Sequence, residues 1–270
     1  MRYMIIVLFS TFLTGLIISA NRNTNQNHNN IFPINISNLD STNILLRHPD
    51  SLITAPANTA YAKEILKKYI TAIGSEDLLR SVKDRVIDMK GIVQGVETEI
   101  TFYQKSPNKL CQKIIVGEVE QKIIFDGSKG MKIIGETNQK ITGDELVKLS
   151  FDAIMNLILE PEIYNVKLQY GGLEKMDDRD SYKILLTLPN GAEWIQYYDM
   201  ETGLKILDSK DIITPQGKYQ QITKFDDYRE IEGVRYPFKV KQYLGNQTLD
   251  FTVESIQINT GISDDVFSIE

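Results

Sequence analysis

The residue types that could do chemistry are few in this chain, and their spacing is wrong for it. There are 2 histidines, His28 and His48, and 1 cysteine, Cys111. Both histidines belong to an asparagine-rich stretch that begins "NRNTNQNHNN". A metal site needs several ligands at fixed spacing, and none accompanies them, so no metal is assigned. Cys111 alternates with polar neighbours in "NKLCQKIIV", as a small strand hydrophobe does. It has no second thiol to pair with and no Cys-x-x-Cys or Cys/His pattern around it.

Carboxylates occur as neighbours at Asp177-Asp178, Asp226-Asp227 and Asp264-Asp265, and paired acids are what a general acid/base hydrolase requires. Each pair reads instead as a turn, where aspartate is favoured for bonds to its own backbone. "DMETG", from Asp199 to Gly203, lacks the alternating oxygens and the closing glutamate of a calcium loop and reads as a hairpin corner. No His-Glu-x-x-His, Gly-x-Ser-x-Gly, Ser-x-x-Lys or glycine-rich phosphate loop occurs. No catalytic residue and no cofactor is assigned. The net charge of −6 excludes nucleic acid as a partner, because phosphate binding needs a clustered positive surface.

What remains is a scaffold that binds. Residues 1–20 carry a short positive start and an almost wholly apolar run from Met4 to Ile18, the pattern of a secretory signal peptide. The rival reading is an uncleaved anchor, with residues 3–20 tethering the protein to a membrane. Residues 21–56 are too polar and too biased to pack and read as a disordered linker. Residues 57–270 read as a single domain. An exported chain without disulfides fits a bacterial periplasm.

Within that domain Tyr61, Ile65, Leu66, Tyr69, Ile70 and Ile73 recur at helical steps and Gly74 marks the end. Ser75 caps a second short helix. After Asp84 the period becomes two, as in "VETEITFY", and strand-like runs follow at short spacing. One helix interrupts them, Thr142 to Leu159, with Thr142 and Glu145 as a capping box and Pro161 as its stop. "EIEGVRYP" reads as a hairpin, with Pro237 at a strand start or edge. The reading is α+β: a strongly curved antiparallel sheet forming an unclosed β-barrel of about ten strands, covered by about three helices. Such a shape encloses an apolar cavity between sheet and helices. Its candidate lining is Ile100, Phe102, Phe125, Met131, Ile133, Leu149, Ile154, Leu157, Ile184, Leu186 and Trp194. The hairpin "FDGSKGMKIIG" then holds up a wall, with Gly127 and Gly130 permitting the turn and Phe125, Met131 and Ile133 facing the interior.

In order along the chain stand "YITAIGSEDLL", "SPNKL", "FDGSKG", "YYDMETGLKI", "DYREIEGVRYPFKV" and "INTGISDDVFSIE". On these turns the segment from about Tyr61 to Glu270 resembles the outer-membrane lipoprotein-sorting-protein-like group, the LolA/LolB-type fold, in the form common among Bacteroidetes. It departs from that pattern at Ser75, at Met131 where a tryptophan is usual, and in ending at Glu270. The resemblance implies an unclosed barrel whose cavity binds lipid or lipoprotein acyl chains in the periplasm. It transfers no ligand contact to a residue here. Related domains also accompany insulinase-type peptidases, so the alternative is a non-catalytic binding or assembly module for an envelope complex or such a peptidase. The expected state is a monomer.

Overall fold

The structure, a computed structural model, describes residues 5–7, 16–18, 55–93, 95–214, 217–244 and 247–269. The asparagine-rich stretch and most of the N-terminal apolar run lie outside the described residues. Within that run, β1 (Ile5–Val7) pairs antiparallel with β2 (Leu16–Ile18).

The domain begins with α1 (Ala55–Ile73), whose Ala62, Ile65, Leu66 and Ile73 are buried at the three- and four-residue steps of one helix face. Ser75 caps α2 (Glu76–Ser81), its Oγ accepting the Leu78 N–H at 3.2 Å. Strands β3 (Asp84–Val93), β4 (Val96–Lys105), β5 (Lys109–Val116), β6 (Val119–Phe125), β7 (Gly130–Ile134) and β8 (Thr137–Ile141) follow as a meander. Then α3 (Gly143–Asp152) and a 3-10 turn, Pro161–Tyr164, carry the chain across. A second meander returns through β9 (Lys167–Met176), β10 (Arg179–Thr187), β11 (Glu193–Asp199), β12 (Lys205–Thr214), β13 (Gly217–Ile231), β14 (Val234–Leu244) and β15 (Gln247–Ile258).

The last strand pairs with the first, β15 against β3, which fuses the two meanders into a 13-stranded antiparallel sheet in the order β8-β7-β6-β5-β4-β3-β15-β14-β13-β12-β11-β10-β9. The chain thus starts in the middle of the sheet, runs to one edge, crosses to the other and comes back. Its two edges, β8 and β9, do not pair, so the curled sheet stays unclosed. The crossing segment and α1 lie on the concave face and bury it.

Two apolar clusters fill that face. One joins α2 and α3 to the middle of the sheet through Leu79, Leu149, Ile100, Phe125 and Phe251. The other joins α1 to β9–β11 through Leu66, Tyr170, Ile184 and Leu186. On the convex face the C-terminal 3-10 turn, Asp264–Phe267, lays Phe267 over Cys111 and Ile124.

Several expectations need correction. The meander holds more strands than alternation reveals, because β8 reads "TNQKI" and its first four residues are exposed. The crossover helix ends at Asp152 rather than Leu159, where Asp152 pairs with Lys210 at 2.6 Å. Thr142 makes no side-chain cap bond, since Gly143 at φ +60° turns the chain on entry. Pro161 does not stop that helix but opens the 3-10 turn, a position where its missing N–H is harmless. Asp177 and Asp178 are the two positive-φ residues of the β9–β10 turn. Asp227 instead lies inside β13 at φ +55°, where the ladder skips Asp227 and Phe238 together and keeps its register between the pairs Asp226–Lys239 and Tyr228–Pro237. Pro237 lies within β14, at a stretch with a ladder on one side only.

In the hairpin "FDGSKGMKIIG", Asp126 Oδ1 accepts from the backbone N–H groups of Ser128 and Lys129 at 2.8 and 2.7 Å, and Gly127 takes φ +106°. Gly130 needs no positive φ. It is glycine because a Cβ there would stand 3.0 Å from Ile141 and from Leu149. Phe125 faces the interior, but the register pairs Met131 with Ile124, so Met131 and Ile133 face the convex side, where Ile133 packs beside Ile124 and Cys111. Strand alternation fixes this, because the turn sets which parity points in.

Candidate functional site

A cavity of about 260 Å³ lies between the concave face and its helical cover. Its roof is Tyr69 and Ile73 of α1, Leu79 of α2, and the segment Ile154 to Ile158 that leaves α3. Its floor is Ile87, Met89 and Phe102 on β3 and β4, and its far wall is Leu186 and Trp194 on β10 and β11. Trp194 meets Phe151 edge to face at 6.3 Å, which fixes the indole at the boundary between cavity and packed core.

The cavity reaches a parting in the sheet. Strand β14 pairs with β13 from Val234 onward but with β15 only from Lys239. Strand β15 in turn runs on along β3 to Ile258 without β14 beside it. Tyr236, Pro237, Val253 and Ile256, from the two sides of this parting, line the cavity.

Of the eleven residues singled out from the sequence, the structure brings Phe102, Ile154, Leu157, Leu186 and Trp194 together around this space. Ile100, Phe125 and Leu149 lie in the packed cluster under α3. Ile184 lies under α1. Met131 and Ile133 lie away from the cavity, as above. The N-terminal half of the sheet is filled by α3, and this cavity opens where α3 has ended.

The cavity also has a polar end that alternation in the sequence does not disclose. Arg85, Gln104, Gln196, Lys205, Asp208 and Lys210 line it, with Asp152 from the end of α3. A β-bulge builds this end. On β11, Trp194, Gln196 and Tyr198 point inward; their partners on β12 are Lys210, Asp208 and Lys205, because the register shifts by one residue at Ile206. Without the shift Lys205 would sit on the opposite face from Asp208 and Lys210.

Lys210 Nζ meets Asp152 at 2.6 Å and stands 3.9 Å from the centre of the Trp194 ring. Lys205 Nζ meets Asp208 at 3.2 Å and stands 4.4 Å from the Phe225 ring. Burial pushes the Lys205 ammonium below its ordinary range in spite of Asp208. Burial acts the same way on Lys210, but the charges of Asp152 and Asp208 and the hydrogen bond to Asp152 together outweigh it and hold the group above its ordinary range. Burial pushes the Tyr69 hydroxyl on the roof up to about 12, so it stays a neutral donor. Arg85 donates its Nε–H to Gln104 Oε1 at 2.7 Å, and Gln104 donates to the Asp152 carbonyl at 3.3 Å. Two ion pairs, neutral amides and a guanidinium can orient a polar group. Among the described residues no three His, Cys, Asp or Glu side chains converge to hold a metal ion.

No protein-family model matches the chain, and no curated protein matches it in sequence. Solved structures do match it in shape. A DUF1329 family protein from Desulfovibrio piger superimposes with TM-score 0.54 at 11% identity, over 78% of this chain and 98% of the other. A domain assigned to outer membrane lipoprotein-sorting proteins from Vibrio parahaemolyticus gives TM-score 0.53 at 9% identity, over 78% and 97%. A LolA superfamily protein from Nitrosomonas europaea gives TM-score 0.50 at 12% identity, over 77% and 97%. At such identities the likeness is one of architecture, the unclosed, helix-covered half-barrel described above.

Proposed function

We propose that the protein is a non-enzymatic carrier or receptor that binds the acyl chain of a lipid or lipoprotein in the cavity between sheet and helices. One observation carries this reading: an apolar space of about 260 Å³ persists beside tightly filled clusters. Protein interiors close-pack, and a void lined by Phe, Leu, Met and Trp costs stability in proportion to its volume. A chain that fills its core under α3 and leaves it open beyond Asp152 keeps that space for an occupant. The volume, just below the ~300–1,000 Å³ typical of ligand sites, suits one chain rather than several.

The proposed organisation is an export segment at 1–20, a linker at 21–56 and one lipid-binding domain at 57–270, acting in the periplasm as a monomer. An envelope protein would deliver or receive the cargo. Support comes from the apolar run at Met4–Ile18 and from lipoprotein sorting in the description of the Vibrio relative in shape.

The test is native mass spectrometry on the full chain purified without detergent, followed by organic extraction and then by uptake of a fluorescent fatty acid. A co-purified acyl species near one per chain is expected. The variant Met155→Trp, which puts a large ring into the roof, is expected to cut uptake about tenfold with little change in melting point. A clean mass that also takes up no fluorescent fatty acid overturns the reading.

A further inference from the structure

Lipid carriage explains the apolar walls of the cavity and leaves its charged end unexplained. Burying ammonium and guanidinium groups beside an acyl chain is costly unless each has a partner. Two do. Lys210 has Asp152 and Lys205 has Asp208. Arg85 has no carboxylate: it uses its Nε–H on the neutral Gln104, its guanidinium stands 5.8 Å from the centre of the Tyr236 ring, and among the described residues no carboxylate stands within ion-pair distance of it. Its planar terminal N–H groups remain for another acceptor. Inside the cavity three cations, Arg85, Lys205 and Lys210, therefore stand against two carboxylates, Asp152 and Asp208, and the exposed Arg235 adds a further positive charge near the parting of β14 and β15.

Position supports the same reading. Arg85 is on β3 and Lys205 on β12, on opposite sides of the parting, and the bulge at Ile206 is what turns Lys205 inward. Their charges oppose each other, since Arg85 is among the groups that depress the Lys205 ammonium. An anion placed between them would relieve that repulsion, and a guanidinium fork suits a two-oxygen acceptor.

We propose that the polar end of the cavity, formed by Arg85 and Lys205, binds the oxyanion head group, carboxylate or phosphate, of a single-chain amphiphile whose tail lies along Phe102, Met89 and Trp194. The proposal rests on the lipid-carrier reading and adds a demand for negative charge that acyl-chain binding alone does not make.

The experiment compares three ligands of equal chain length on the delipidated full chain by titration calorimetry below their aggregation thresholds: dodecanoate, dodecanol and dodecyl phosphate. The expected result is that at least one anion binds about tenfold or more tighter than the alcohol, the step a single charge-assisted bond supports. Dodecanoate in front points to a fatty acid, and dodecyl phosphate in front to a lipid phosphate; either supports the proposal. In Arg85→Gln and in Lys205→Met the ratio of anion to alcohol affinity is expected to fall toward one, with thermal melting followed in parallel. Equal affinity for anions and alcohol in the wild-type protein overturns the head-group inference and leaves the carrier reading intact. Binding of none of the three overturns both.

Discussion

Cys111 is buried at 3% exposure under Phe267, on the convex side of the sheet and away from the cavity. Burial pushes its thiol from 9.0 up to about 11, because the thiolate would lose hydration among Ile124, Ile262 and Phe267. The sign of the consequence follows from linkage. The folded state holds this proton more tightly than the unfolded state, so the contribution is fully present below about pH 9 and is lost as pH rises through about 11. The loss amounts to at most about 2–3 kcal/mol. Urea unfolding of the wild type and of Cys111→Val between pH 8 and 11 isolates it, since all other groups titrate in both proteins. The wild type is expected to lose stability relative to the variant across that range. A constant difference between them would show that the thiol is not held in its neutral form by burial.

At the scale of elements, helix ends and strand bulges do the positioning. Two helix starts offer the same sequence signal and differ in fact. Ser75 accepts the Leu78 N–H at 3.2 Å, whereas Thr142 makes no side-chain cap bond. Ser75→Ala is therefore expected to lower stability by about 1 kcal/mol, and Thr142→Ala by a few tenths at most. Chemical denaturation of the two variants checks this, and equal losses would mean that Thr142 caps α3 in solution. The contrast also shows what a sequence discloses. The pattern in "VETEITFY" places Val96, Thr98, Ile100 and Phe102 on one inward face; Thr98, Ile100 and Phe102 are buried, because period two is a property of the strand itself, while Val96 at the strand's start is exposed. The polar end of the cavity was not legible in that way. "KILDSKDII" puts charges on both parities, and only the register shift at Ile206 gathers Lys205, Asp208 and Lys210 on one face. A bulge belongs to a pair of strands, and one strand read alone does not contain it. The same limit hid Met131 and Ile133, whose side of the sheet is set by their pairing with β6.

At the scale of the molecule, an unclosed barrel must protect two edges and keep a cover over its open interior. Strand β8 does the first with exposed polar residues, Thr137 to Lys140. Strand β9 is protected by the cover itself. Asn58, in the first turn of α1, receives the Tyr170 N–H at 2.7 Å and donates to the Tyr170 carbonyl at 3.0 Å, in the manner of a neighbouring strand. Thr59 Oγ1 donates to the Leu168 carbonyl at 3.1 Å alongside it. One side chain thereby satisfies the free edge and ties down the start of the helix whose other end, Tyr69 and Ile73, roofs the cavity. Apolar packing of Ala62, Ile65 and Leu66 also holds the cover, but it has no direction and tolerates sliding. Asn58→Ala should accordingly cost about 1–2 kcal/mol for the two bonds lost. Its more telling effect is local: amide exchange is expected to rise at Tyr170 and through the first half of α1 while β3 to β5 stay protected, and bound acyl chain is expected to leave faster. Exchange mass spectrometry with and without ligand reads both. Uniformly raised exchange would mean that the cover and sheet open only together, and unchanged exchange at Tyr170 would mean that Asn58 does not hold this edge in solution.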